Sequence, residues 1–247
     1  MMNGSEFPYL LDNFESFSLS KRGEVADIKG RNGDLPALSQ TAEPGLNIIA
    51  YHARADKVVY NDWPTFQRYL RIEGLTEIEA LHRSRGLPES GFTESYRRYA
   101  KALVQVGPIM PDDIDAAIGA PFELIALQNP YKDGLEAITV QLLRNGAPVP
   151  DRQIAVFRND GEVIRRLVFT DEDGEAVSEI VGGGSFLLNA TDLQSADAGD
   201  VVWESYWASL TFGLPITDGP LHPLDPLTKS EIVRAIGAIG RSGRASR

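Results

Sequence analysis

Histidine and carboxylate side chains are the groups of this chain best suited to hold a transition metal. There are three histidines, His52, His82 and His222, in a strand-like run, a helix-like run and the C-terminal tail. None has another histidine two or four residues away, the spacings that put two imidazoles on one face of a strand or a helix. No His-Glu-x-x-His segment occurs. A metal site would have to be assembled by the fold, with His52, His82 and Glu204 as candidate ligands. The alternative is three unrelated histidines, His52 half-buried beside Tyr51 with one nitrogen satisfied.

A second group could bind an organic ligand. In "TESYRRYAKALV", Tyr96 and Tyr99 interleave with Arg97, Arg98 and Lys101, a pattern that suits an anion or a saccharide. Equally, the tyrosines pack while Glu94 pairs with Arg97 or Arg98 on a neighbouring helical turn. In "VWESYWASLTF", a strand would put Trp203, Ser205 and Trp207 on one face and Glu204, Tyr206 and Ala208 on the other. Two tryptophans on one face either line a binding surface or cap a core. Glu204 then lies among apolar neighbours and needs a partner such as Lys101 or an arginine. Tyr96, Arg97, Trp203 and Trp207 are the candidate residues for a non-metal ligand.

The acidic run "TDEDGEA" (170–176) lacks the alternating oxygen ligands and twelfth-position glutamate of a calcium loop. It reads as a β-hairpin turn, Asp and Gly serving the backbone angles. No nucleophile elbow, P-loop or dinucleotide fingerprint appears, and "GGGS" (182–185) has no following helix. The expectation is a protein that is not an enzyme.

Composition narrows the class further. The chain has 247 residues, 43% of them hydrophobic, enough to build a sizeable core. Its formal charge of −11 opposes binding to nucleic acid or to anionic membrane. The absence of cysteine removes disulfides and thiolate metal ligands. No apolar run approaches the ~18 residues that span a bilayer, and the first residues do not read as a secretory leader.

The elements that must position these groups are mostly strands. "SFSLS" (16–20), "EVADIKG" (24–30) and "GLNIIAYHA" (45–53) read as strands. A helical insert over 62–86 follows: Asp62 is the expected N-cap, Pro64 lies in the first turn and Gly74 ends the first helix. Thr76 and Glu79 predict a capping box for the second, with Gly86 as its stop. In "GFTESYRRYAKALVQVG" (91–107) the first half suits a helix and "KALVQVG" a strand. The polar connection 110–121 marks a domain boundary, giving a β-rich region over 1–117 and a second domain over 118–213. Strand-like runs spaced about 8–12 residues apart predict an immunoglobulin-like β-sandwich there. Within it, "EAITVQLLRNGAPVPDRQIAVFRND" reads as two strands about Asn-Gly, and "EVIRRLVFTDEDGEAVSEIV" as two about Asp-Gly. The fold class is therefore mainly β, with a tail (214–247) that carries a short capped helix.

"FQRYLRIEGL", "RSRGLPESGFTESYRRYAKALVQVG", "ELIALQNPY" and "VWESYWASLTF", in this order, resemble a family of periplasmic proteins of unknown function, formerly described as the substrate-specific component of nickel or cobalt uptake. The resemblance covers about residues 5–213. It implies a β-rich N-terminal region with a helical insert, a C-terminal immunoglobulin-like domain, a periplasmic location and a membrane metal-transport system as partner. It also implies a leader and a His-containing first strand ahead of "GSEFPYL", so a truncated start lacking that strand is expected. The tail segment "HPLDPLTKSEIVRAIGAI" (222–239) resembles the opening of copper amine oxidases, while the oxidase's cofactor tyrosine motif and copper-binding histidines have no counterpart in this sequence. Together these predict a cell-envelope ligand-binding module associated with nickel, cobalt or copper. The alternatives are a structural or carbohydrate-binding adhesion module and an accessory domain of an oxidase-like protein.

Overall fold

A computed structural model of the protein describes residues 8–38 and 42–216. The tail helix expected within 222–239, and His222 with it, lie outside the described residues. The described fold is mainly β. Its strands are β1 (Phe14–Lys21), β2 (Glu24–Asp27), β3 (Gly45–Ala53), β4 (Asp56–Tyr60), β5 (Phe92–Val106), β6 (Phe122–Ala126), β7 (Ala137–Arg144) and β8 (Ala147–Pro148). They continue with β9 (Gln153–Asn159), β10 (Val163–Phe169), β11 (Glu175–Glu179), β12 (Gly184–Ala198) and β13 (Val201–Leu214). Two helices, α1 (Trp63–Glu73) and α2 (Glu77–Ser84), fall between β4 and β5.

The larger sheet has nine strands in the order β10-β9-β12-β13-β5-β3-β1-β2, with β4 also paired to β5. The smaller has the order β11-β7-β6, with β8 on β7. Every pairing is antiparallel except β13 with β5, which run parallel from Val201↔Thr93 to Thr211↔Ala102. The division expected at 117–118 falls between β5 and β6, and the nine-stranded sheet is continuous across it. The main core fills the space between the sheets, with Leu46, Tyr99, Leu103, Phe122, Leu142, Ile154, Phe186, Leu188 and Phe212 among its side chains. A second core lies under the helices on the other face, around Phe66, Leu70, Phe92 and Trp203.

The first helix follows its sequence closely. The Asp62 carboxylate accepts from the Thr65 amide at 2.8 Å and from its hydroxyl at 2.9 Å, satisfying donors that a helix N-terminus leaves free. Gly74 ends it in the left-handed region, φ 71. Trp63, Phe66 and Leu70 form the buried stripe. The second helix departs from expectation. Thr76 makes no side-chain cap, and Glu79 binds Gln67 at 3.0 Å and Arg83 at 2.9 Å instead.

Other corrections arise from partners distant in sequence. Residues 92–106 form one strand, not a helix followed by a strand, because β3, β4 and β13 all bond to it. The "TDEDGEA" segment is a turn, with the Gly174 amide donating to the Asp171 carbonyl at 3.0 Å. It does not close a hairpin, since β10 belongs to the large sheet and β11 to the small one. Asn145-Gly146 joins β7 to the two-residue β8, while β9 crosses to the large sheet. The connection after β5 is pinned by a buried ion pair: Lys101 Nζ lies 2.8 Å from Asp115 and donates to the Ala116 carbonyl at 3.1 Å. Asp115 accepts from the Ala126 amide at 2.8 Å, which ties β6 to the same point.

Candidate functional site

The parallel pair β5–β13 sits in the middle of the large sheet, and its register decides which side chains can cooperate. Trp203, Ser205 and Trp207 lie opposite Glu94, Tyr96 and Arg98 and share the helix-covered face. Glu204 and Tyr206 lie opposite Ser95 and Arg97 and share the other face. Of the four residues proposed for a non-metal ligand, Tyr96, Trp203 and Trp207 therefore share a face and Arg97 is turned away from them.

Glu94 is the pivot of the helix-side face. It is 1% exposed. Tyr60 donates to its Oε2 at 3.0 Å, and Ser205 makes a short hydrogen bond to Oε1. Trp207 Nε1 donates to Ser205 Oγ at 3.0 Å, which completes a chain from the indole to the carboxyl. The buried Tyr69 hydroxyl lies close to Glu94 and Ser205, and the Glu94 charge bears on it. Burial pushes the Glu94 carboxyl up to about 7, against the opposing effects of the Ser205 and Tyr60 hydrogen bonds and the Arg98 charge. Burial, reinforced by Glu94, also raises Tyr60 well above the ordinary phenol range. The helical ion pair weighed for Glu94 is thus replaced by a buried hydroxyl cage.

Beside this cage the surface opens. Trp207 is half-buried and stacks on Tyr69, ring centroids 5.8 Å apart and planes 17° from parallel. Its cross-strand neighbour Arg98 is half-buried, has no carboxylate within ion-pair distance among the described residues, and lies over the Tyr96 ring at 4.6 Å. Tyr96 is held by a 2.7 Å bond to Asp56. Trp203, in contrast, is fully buried, so it caps a core. Its Nε1 donates to His82 Nδ1 at 3.0 Å, and Arg85 lies over its ring at 4.8 Å.

The indole N–H can only donate, so His82 Nδ1 is an acceptor and its Nε2 carries the proton that binds the Pro88 carbonyl at 3.0 Å. Both ring nitrogens are occupied, and burial keeps this imidazole below its ordinary pKa. His52 lies on the opposite face of the sheet, edge-on to Tyr99 at 5.3 Å, with Nε2 buried and, among the described residues, unpartnered. Burial lowers its pKa, partly offset by Glu15. Glu204 shares that face two strands away and accepts from the Tyr206 hydroxyl at 3.0 Å, not from Lys101 or an arginine. His52, His82 and Glu204 are not brought together. Among the described residues no three His, Asp or Glu side chains are grouped to hold a metal ion.

Sequence reasoning missed two residues, Glu94 as the pivot and Arg98 as the cation beside Trp207. The alternation Phe92, Glu94, Tyr96, Arg98 carried the signal, because a strand reading of that segment puts all four on one face.

Fold and site together define a mainly β protein of two facing sheets with helical cover, bearing an aromatic and arginine-rich strip beside a buried carboxyl. The chain belongs to the family described as Domain of unknown function (DUF4198), which matches residues 2–192. The match takes in Glu94 and Arg98 and ends within β12, before the Trp207 strand. No curated protein and no solved structure matches the chain. No helix among the described residues is long and apolar enough to cross a membrane.

Proposed function

We propose that the protein is a non-enzymatic ligand-binding module and that its binding surface is the Trp207–Arg98 strip. The observation that carries this reading is the pairing of a half-buried, stacked indole with a half-buried arginine that has no carboxylate partner among the described residues. Both sit on central strands, and the Trp207 ring is anchored through Ser205 to Glu94. A rigid flat ring beside a planar fork of donors suits a saccharide, whose apolar face stacks while its hydroxyls accept from the guanidinium. The nickel or cobalt association comes from the sequence resemblance, which also supports a setting in the cell envelope.

Intrinsic fluorescence tests the reading directly. Trp63 and Trp203 are buried at 8% and 0% exposure, so Trp207 dominates the response to an external quencher or ligand. Titration with a panel of neutral and acidic mono- and disaccharides is expected to shift the emission of the wild type and to protect it from acrylamide. W207F and R98Q are expected to abolish the response. If every saccharide leaves the emission unchanged while nickel or cobalt chloride alters it saturably, the saccharide reading fails and the metal-linked one replaces it.

A further inference from the structure

We infer that the opposite face of the same strand pair carries a second, separate site, built around Arg97, that binds a small carboxylate. The register sets a continuous row across three strands: His52 on β3 faces Tyr99 on β5, and Arg97 on β5 faces Tyr206 on β13. Arg97 and Tyr99 are two residues apart on one strand and so share this face. Arg97 is half-buried and, among the described residues, has no carboxylate within ion-pair distance. The guanidinium bears on the Tyr99 hydroxyl, and in a chain of net charge −11 its remaining donors, with no counter-charge among the described residues, stay available for an acceptor from outside.

The charges around Arg97 are committed elsewhere. Arg144 lies over the Tyr206 ring, 3.7 Å from its centroid, and bonds Asp192 at 2.8 Å. Arg152 holds the other oxygen of Asp192 at 3.2 Å. Glu204 is engaged by the Tyr206 hydroxyl. Glu15, whose charge reaches His52 and Tyr99, is exposed to solvent. His52 Nε2, buried and without a hydrogen-bond partner among the described residues, is a second polar atom at the other end of the row.

The chemistry of the row selects the ligand. An arginine fork matches a planar carboxylate with two parallel hydrogen bonds. Arg144 covers one side of the Tyr206 ring and Tyr99 is 6% exposed, so the half-buried His52 and Tyr206 side chains are what the row offers a short hydrocarbon body. Burial raises the Tyr99 pKa against the charge and hydrogen bond of Arg97, so the phenol keeps its proton: the hydroxyl can accept from the guanidinium and still donate.

Calorimetric titration of the whole chain with sodium propionate tests the site, with sodium chloride and sodium sulfate at matched ionic strength as controls. Saturable heat is expected with propionate. R97Q is expected to weaken binding at least tenfold, H52Q less, and R98Q and W207F not at all, because those residues lie on the other face. Circular dichroism and a melting curve for each variant exclude loss of fold. Sulfate binding as tightly as propionate, binding unchanged in R97Q, or equal loss in R98Q would each overturn the inference. Saccharide-dependent fluorescence of Trp207 is unaffected by R97Q, so the two sites succeed or fail separately.

Discussion

Replacing Glu94 with glutamine should change how stability depends on pH. The buried carboxyl titrates at about 7 in the folded protein against 4.5 ordinarily. Between those values the folded chain holds a proton that the unfolded chain has released, so stability falls as pH rises through the window. Below 4.5 both states are protonated and the effect is absent; above 7 it is complete. The difference of 2.5 pH units at 1.36 kcal/mol each gives a ceiling of about 3 kcal/mol. Glutamine occupies nearly the same volume and keeps an acceptor for Tyr60 or Ser205, but it cannot ionise. Urea denaturation of wild type and E94Q at pH 5 and pH 8 measures the difference. E94Q should gain about 2–3 kcal/mol relative to wild type on going from the lower pH to the higher. A stability difference that is the same at both pH values refutes the reasoning, because it means Glu94 is ionised throughout or is solvated in the folded state.

Three further outcomes follow from particular contacts. K101M should cost about 3–5 kcal/mol in urea denaturation, since it strands the Asp115 carboxylate in the core, and K101M/D115L should recover most of the loss. W203F should cost about 1–3 kcal/mol at neutral pH by leaving His82 Nδ1 buried without a donor. G183A should cost at least about 2 kcal/mol, read as a lower melting temperature: Gly183 has φ +68, and an added Cβ would lie 1.7 Å from the Pro215 carbonyl oxygen.

Local features were legible from residue order. The Asp62 cap, Pro64 and Gly74 act within a few residues of one another, and α1 begins and ends where they direct. The run "GLNIIAYHA" matches β3 end to end because its apolar residues meet the core and the N-terminal layer on its two faces. What failed was set by distant partners. Gly91 through Ala100 suit a helix in isolation, yet the strand is held by β13, which lies far along the chain. The turns at Asn145-Gly146 and Gly174 were recognisable, but no local signal tells whether a strand after a turn returns to its own sheet or crosses to the facing one. The candidate site suffered similarly. Trp207 and Tyr96 stand out by residue type, whereas telling Arg98 from Arg97 requires the strand assignment, which alone fixes the face. Neighbouring residues offer Glu94 only the arginines, whereas its partners Tyr60 and Ser205 belong to other elements.

The parallel seam between β5 and β13 has a consequence for biosynthesis. On the ribosome, β5 is made long before β13, so Thr93 must wait for Val201 while one long edge of β5 lacks its final neighbour. A nascent chain arrested anywhere in between presents an unpaired central edge bearing Phe92, Tyr96 and Leu103, the kind of edge that captures strands from other chains. Closure across so large a sequence separation is entropically slow. The last strand made is therefore the one that ends the period of vulnerability, and chaperone demand for this protein should rise with any delay in translating β6 through β12.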